Sequence, residues 1–185
     1  MPTPNPIRNR TRCAPAKQGF SLIELLVVIA IILIIAAIAI PNFMRARMAA
    51  NEASAAENIR TITTAAVIYH TTWGNGYPPT LAALGGISNP ATCNRAILID
   101  SVLATAPSQK SGYTFSYKGQ GPNVVPPSIC GSPGYEAYLA TATPIKFDMT
   151  GQRSFCSNEP AVIHYDIKGS SITTPAQCEA LPALQ

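Results

Sequence analysis

Acidic residues are absent from the first 23 positions of this 185-residue chain, and charge of either sign is absent from Leu25 through Ile40. Histidine is scarce: His70 and His164 stand apart, neither in a nucleophile or metal motif, so each reads as a structural or surface residue. No Cys-x-x-Cys pair occurs and no histidine lies at a finger-like distance from a cysteine, which argues against zinc. No EF-hand loop is present and no glycine-rich phosphate loop follows a strand; Gly119-Gln120-Gly121 reads as a turn. Net charge is lacking too once the N-terminal segment is set aside. The formal +4 comes from Arg8, Arg10, Arg12 and Lys17, since residues 20 to 185 hold nine basic and nine acidic groups. Nothing therefore points to nucleic acid as a partner. The expectation is a non-enzymatic chain with no cofactor and no metal. One option stays open, calcium held by Asp148, Glu159 and Asp166 if loop ends bring them together.

What is present is an uninterrupted apolar run. Large aliphatics contribute roughly −0.3 to −0.6 kcal/mol each near a bilayer centre, so those between Leu25 and Ile40 outweigh the roughly 2.5–3.5 kcal/mol cost of Glu24. Phe20 to Ile40 is 21 residues, and at about 1.5 Å of rise per residue such a helix crosses a hydrocarbon core about 30 Å thick. Basic residues before the run keep the N-terminus cytoplasmic and send the remainder outward. An ordinary secretory signal ends its apolar region with a small-residue cleavage site. Here the small residue, Gly19, precedes the run.

The stretch Gly19-Phe20-Ser21-Leu22-Ile23-Glu24-Leu25-Leu26-Val27-Val28-Ile29-Ala30, with Ala39-Ile40-Pro41-Asn42-Phe43 beyond it, resembles the class III signal and N-terminal helix of type IV pilins and pseudopilins. The resemblance covers about residues 17 to 45. It implies cleavage after Gly19 by a prepilin peptidase on the cytoplasmic side, methylation of the new N-terminus at Phe20, and retention of the apolar helix. It also implies that Glu24 helps register one subunit against the next, and that a proline at position 41 is usual for the family.

The residues have a physical reading of their own. Glu24 sits one turn from the amine of Phe20 and near the positive end of the helix dipole, and a neighbouring subunit's Phe20 amine would supply a further partner. The alternative is a glutamate that snorkels to the headgroups. Pro41 removes a backbone hydrogen bond and crowds the carbonyl of Ala37, which costs about 3 kcal/mol in a straight helix and predicts a kink or a melted turn. A plain boundary between two helices is the other reading.

The chain divides into a leader (1–19), an apolar transmembrane or filament-core helix (20–41), an amphipathic second half of that helix (42–72) and a head (73–185). Pro2, Pro4, Pro6 and Pro15 keep the leader from folding. Ile59, Ile62, Ala66, Tyr69 and Trp73 recur at helical spacing, while Asn51, Glu57, Asn58, Arg60, Thr61 and Thr64 fall largely elsewhere. Gly74-Asn75-Gly76 ends the helix, Tyr77-Pro78-Pro79 is extended, and Thr80 can cap a short turn through Leu84. Residues 94 to 105 fit a short helix better than a strand. Strands are predicted from Tyr113, over Tyr135 to Thr141, Gln152 to Cys156 and Ala161 to Tyr165, with a Pro/Gly-rich loop from Gly119 to Gly134.

Cys13 falls in the leader, leaving Cys93, Cys130, Cys156 and Cys178 in a compartment that can oxidise them. Four cysteines allow three pairings; the shortest total loop joins Cys93 to Cys130 and Cys156 to Cys178. The predicted fold class is α+β, a long N-terminal helix packed on a small antiparallel β-sheet (about 113–165), with the tail from Thr173 laid across the head and held at Cys178. The predicted role is a structural subunit of a type IV pilus or pilus-like filament. Its partners would be further copies of itself or of related subunits, the prepilin peptidase, an inner-membrane assembly platform and, before assembly, membrane lipids. The place would be the bacterial inner membrane with an extracytoplasmic head, then a periplasmic or cell-surface filament. The rivals are a pseudopilin of type II secretion or DNA uptake, and a monomeric membrane-anchored binding domain or enzyme.

Overall fold

Leucine, isoleucine and alanine dominate the chain after Ser21, and helix α1 spans Leu22–Trp73, continuing as helix through Pro41. The computed structural model describes residues 19–87, 90–124, 130 and 133–184; residues 1–18 of the leader and most of the Pro/Gly-rich loop after Val124 lie outside them. Two compact units divide the chain, 1–41 and 42–185. In the first, α1 carries an almost wholly exposed apolar surface from Leu22 to Ile40. Among the described residues α1 is the one helix long and apolar enough to cross a membrane.

In the second unit α1 buries one stripe. Ala55, Ile59, Ile62, Ala66 and Tyr69 are sealed into the main core, the face their spacing predicts. Asn58 departs from expectation and is buried with them, because its side-chain amide donates to the Ser54 carbonyl at 2.7 Å and so travels inward already satisfied. The helix ends where Gly74 and Gly76 adopt φ of +59° and +77°. Helix α2, Leu81–Leu84, follows. Thr80 occupies its N-cap position, but the hydroxyl makes no capping bond; burial of Leu81 and Leu84 holds the turn instead. Helix α3, Ser101–Ala104, is a single turn whose N-cap Asp100 accepts a hydrogen bond from Leu103 N–H at 2.8 Å.

Five strands follow: β1 (Gln109–Lys110), β2 (Tyr113–Val124), β3 (Gly134–Pro144), β4 (Ser154–Asn158) and β5 (Ile163–Asp166). They pair antiparallel in the order β1-β2-β3-β4-β5, a meander. The Gly119-Gln120-Gly121 turn is corrected, since these residues belong to β2. Gly119 lies under the Tyr135 ring, where a Cβ would collide, and a register shift between Gln120 and Asn123 absorbs the positive φ of Gly121. One face of the sheet, through Tyr113, Phe115, Tyr117, Tyr138 and Ala140, joins the core built on α1. The other, through Leu139 and Cys156, packs with Ile172, Cys178 and Leu181. The protein is therefore α+β, a long helix on a five-stranded antiparallel sheet, with the tail as a further layer.

The tail contains helix α4, Pro175–Glu179, whose Thr174 and Gln177 form a reciprocal capping box. Beyond it Tyr165 N–H donates to the Pro182 carbonyl at 3.1 Å and Leu184 N–H to the Ile163 carbonyl at 2.7 Å, so the tail lies along β5. Disulfides join Cys93 to Cys130 and Cys156 to Cys178.

Candidate anchoring and assembly site

The site starts where α1 starts. Ser21 is the residue before the first helical position, and its backbone N–H donates to Glu24 Oε2 at 3.0 Å. This is the glutamate half of a capping box, which satisfies one of the orphan donors at a helix N-terminus. The spacing Ser-x-x-Glu was available in the sequence as a capping signal. Phe20 is 82% exposed, and a Cβ built on Gly19 would meet no atom within 4 Å. Glycine at position 19 is thus not required by packing among the described residues. From Leu22 to Ile40 the aliphatic side chains have no cover among the described residues. A surface of that kind needs lipid or other protein. Pro41 lies inside α1.

The second unit has a feature that sequence reasoning missed. Glu52, on α1, is buried, and its carboxylate gathers three donors from the two residues before β4: Oε1 accepts from Gln152 N–H at 2.8 Å and Arg153 N–H at 3.2 Å, and Oε2 accepts from Arg153 Nε at 2.8 Å. Asn51 adds a bond from its side-chain amide to the Thr150 carbonyl at 2.9 Å. The Arg153 guanidinium also lies over the Tyr165 ring, 5.6 Å from its centroid, and the Tyr113 hydroxyl donates to the Arg153 carbonyl at 2.7 Å. Helix and sheet are locked here by charge-assisted hydrogen bonds in addition to apolar packing.

The remaining candidates are structural. His70 stacks on Tyr77 at 4.9 Å, and His164 Nδ1 lies 2.7 Å from the Leu181 carbonyl, a contact that requires the proton on Nδ1. The three carboxylates considered for calcium have local partners: Asp148 accepts from Gln152, Glu159 from the Tyr77 hydroxyl, and Asp166 from the backbone of Lys168 and Ser170. Among the described residues no three metal-ligating side chains gather. Burial, reinforced by the nearby Glu159 carboxylate, pushes the Tyr77 hydroxyl up to about 12. One cavity, about 420 Å³, is an open groove between α1 and β5 whose one charged lining residue, Arg60, pairs with Glu57.

Residues 15–40 match the family model described as the prokaryotic N-terminal methylation motif. That segment resembles the N-terminus of type IV pilins. A stretch of 55 residues is 46% identical to the type IV major pilin protein PilA of Myxococcus xanthus strain DK1622, covering 30% of this chain and 25% of that protein. The pilin likeness therefore spans about a quarter of the length of the relative it matches. No solved structure matches the chain. In this pilin-type N-terminus the matched residues include Gly19, Phe20 and Glu24, the cluster that stands together at the start of α1.

Proposed function

We propose that the chain is a structural, non-enzymatic subunit of a type IV pilus or pilus-like filament, cut after Gly19, methylated at Phe20, and assembled through α1. The observation that carries this reading is an apolar helix surface with no cover among the described residues, opening on the methylation motif and a single acidic group. Such a helix suits two environments in turn, the inner membrane with the head outside it, and the core of a polymer of like subunits. The named role of the Myxococcus relative as a major pilin favours a pilus over a secretion pseudopilus. Prepilin peptidase and an inner-membrane assembly platform are the partners this life cycle requires.

Glu24 would act twice. In the free subunit it caps its own helix; in the polymer its charge would meet the Phe20 amine of a neighbour, where low dielectric makes a wrong register costly. Two variants separate these roles. Glutamine at position 24 can still cap but carries no charge, so Glu24→Gln and Glu24→Ala should both insert into membranes and both be lost from sheared surface filaments. Normal filament yield from Glu24→Gln in a strain with no other copy would overturn the registering role. Mass analysis of filaments should find a chain that begins at methylated Phe20; an intact leader would refute the processing step. Pro41 would give α1 a place to bend as subunits pack.

A further inference from the structure

Two neighbouring loops at one end of the sheet carry side chains that the core does not use. In the β3–β4 connection Ile145, Phe147 and Met149 are 45%, 51% and 58% exposed, and after β5 Ile167 is 66% exposed. The loops touch: a Cβ on Gly169 would run into the Phe147 ring. Four large apolar groups on two touching loops are thus exposed, although each loop is well anchored. Asp148 N–H bonds to the Gly151 carbonyl at 3.1 Å, and the Asp166 carboxylate accepts the N–H groups of Lys168 and Ser170. Fixed backbone with exposed apolar tips is the mark of a surface built to be covered.

Charge says what covers it. Lys146 and Lys168 flank the apolar residues and are exposed, and neither is in an ion pair among the described residues. Arg45 lines the same cleft as Glu52 and Gln152, and Arg47 follows it on an exposed stretch of α1. Of the acidic groups nearby, Asp148 and Asp166 accept local hydrogen bonds and balance the two lysines, and Glu52 is held by Arg153, so the cationic surplus is that of Arg45 and Arg47. Cations around protruding Ile, Phe and Met match an anionic lipid surface, with apolar tips at the acyl boundary and cations among the headgroups. Chain connectivity puts such a surface within reach. The β3–β4 loop is tied to Asn51 and Glu52 on α1, ten and eleven positions along the chain from Pro41.

We propose that in the unassembled subunit the Phe147 and Ile167 loops dock on the anionic headgroup layer of the membrane that holds α1. The lipid contact would keep the subunit from rocking on its anchor, and would be surrendered when it joins a filament. This inference rests on the reading of residues 20–41 as a membrane segment.

The test uses the full chain reconstituted into vesicles of phosphatidylcholine and phosphatidylglycerol whose acyl chains are brominated close to the headgroup. Phe147→Trp and Met149→Trp each add one reporter to the native Trp73. Docking predicts about a twofold loss of the added emission with brominated lipid, much reduced when phosphatidylglycerol is omitted or when Lys146→Glu and Lys168→Glu are introduced. Added emission that brominated lipid leaves unchanged overturns the proposal, as does quenching indifferent to lipid charge. Shielding that appears only as protein density rises overturns it too and assigns the face to a second copy. Alkaline carbonate washing separates the two readings: a chain that washes out refutes the membrane segment, whereas a retained chain with unquenched reporters refutes only the docking.

Discussion

Replacing Glu52 with alanine should cost the head more than any other single change on the polar side of α1. The substitution removes three hydrogen bonds to an ionised group at 2.8, 3.2 and 2.8 Å. Bonds of this type contribute about 1.5–3 kcal/mol each, and a backbone donor left buried without an acceptor costs a similar amount. The three do not add, because they share one carboxylate and because the Arg153 side chain is 43% exposed and can return to water. Two stranded backbone N–H groups plus a lost guanidinium pair then amount to about 3 kcal/mol, with water recovering the rest. For a unit of this size that lowers the melting midpoint by about 10 °C. Glu52→Gln is the sharper variant. Its carbonyl can still accept from Gln152 and Arg153 N–H, but its amide would face Arg153 Nε donor to donor, so about half the loss should remain. Thermal unfolding of the detergent-solubilised chain, followed by near-UV circular dichroism, measures both. Combining Glu52→Ala with Arg153→Ala should be markedly less than additive. A midpoint for Glu52→Ala within about 2 °C of the parent would refute the claim that this carboxylate locks helix to sheet.

Loss of the Cys156–Cys178 bridge, by paired serine substitution, frees a loop of sequence separation 22; a chain-entropy estimate puts the cost at about 3 kcal/mol. Hydrogen exchange should then rise at Tyr165 and Leu184, whose N–H groups bond across tail and β5, before it rises in β2. Alkali should also unfold the head in a defined direction. Burial raises the hydroxyls of Tyr69, Tyr77, Tyr113, Tyr117 and Tyr138, Tyr77 to about 12. A raised folded value means stability that is complete below the unfolded value of about 10 and is lost as pH climbs toward the folded one. Tyrosinate absorbance from these residues should thus appear with unfolding between about pH 10 and 12, and free titration of these five hydroxyls in the native head at pH 10 would contradict it.

Much of this architecture is legible in the residues because its causes are local. The face of α1 follows from the spacing of Ile59, Ile62, Ala66 and Tyr69, and its end from Gly74 and Gly76. Strands β3, β4 and β5 alternate or are bounded by turn residues close to where the structure puts them. What was not legible depends on partners far along the chain. Glu52 stands in an alanine-rich helix like a solvated charge, and only the arrival of Gln152 and Arg153 a hundred residues on makes it a lock. Gly119 looks like a turn former until Tyr135 lies across it. Asn58 reads as polar surface because nothing in its neighbours reveals that Ser54 already accepts its amide. The apolar helix shows the opposite case, since its meaning is carried by the motif from Gly19 to Glu24 and owes nothing to tertiary contacts among the described residues.

The tail that runs beside β5 has a bearing on what the outer edge of the sheet can bind. A free outer strand offers a row of unpaired donors and acceptors, a ready template for strand addition from another chain. Here Tyr165 N–H and the Ile163 carbonyl, the groups such an invader would use, are already taken by Pro182 and Leu184. Strand addition is closed off along that side of the sheet, and any contact made there must run through side chains.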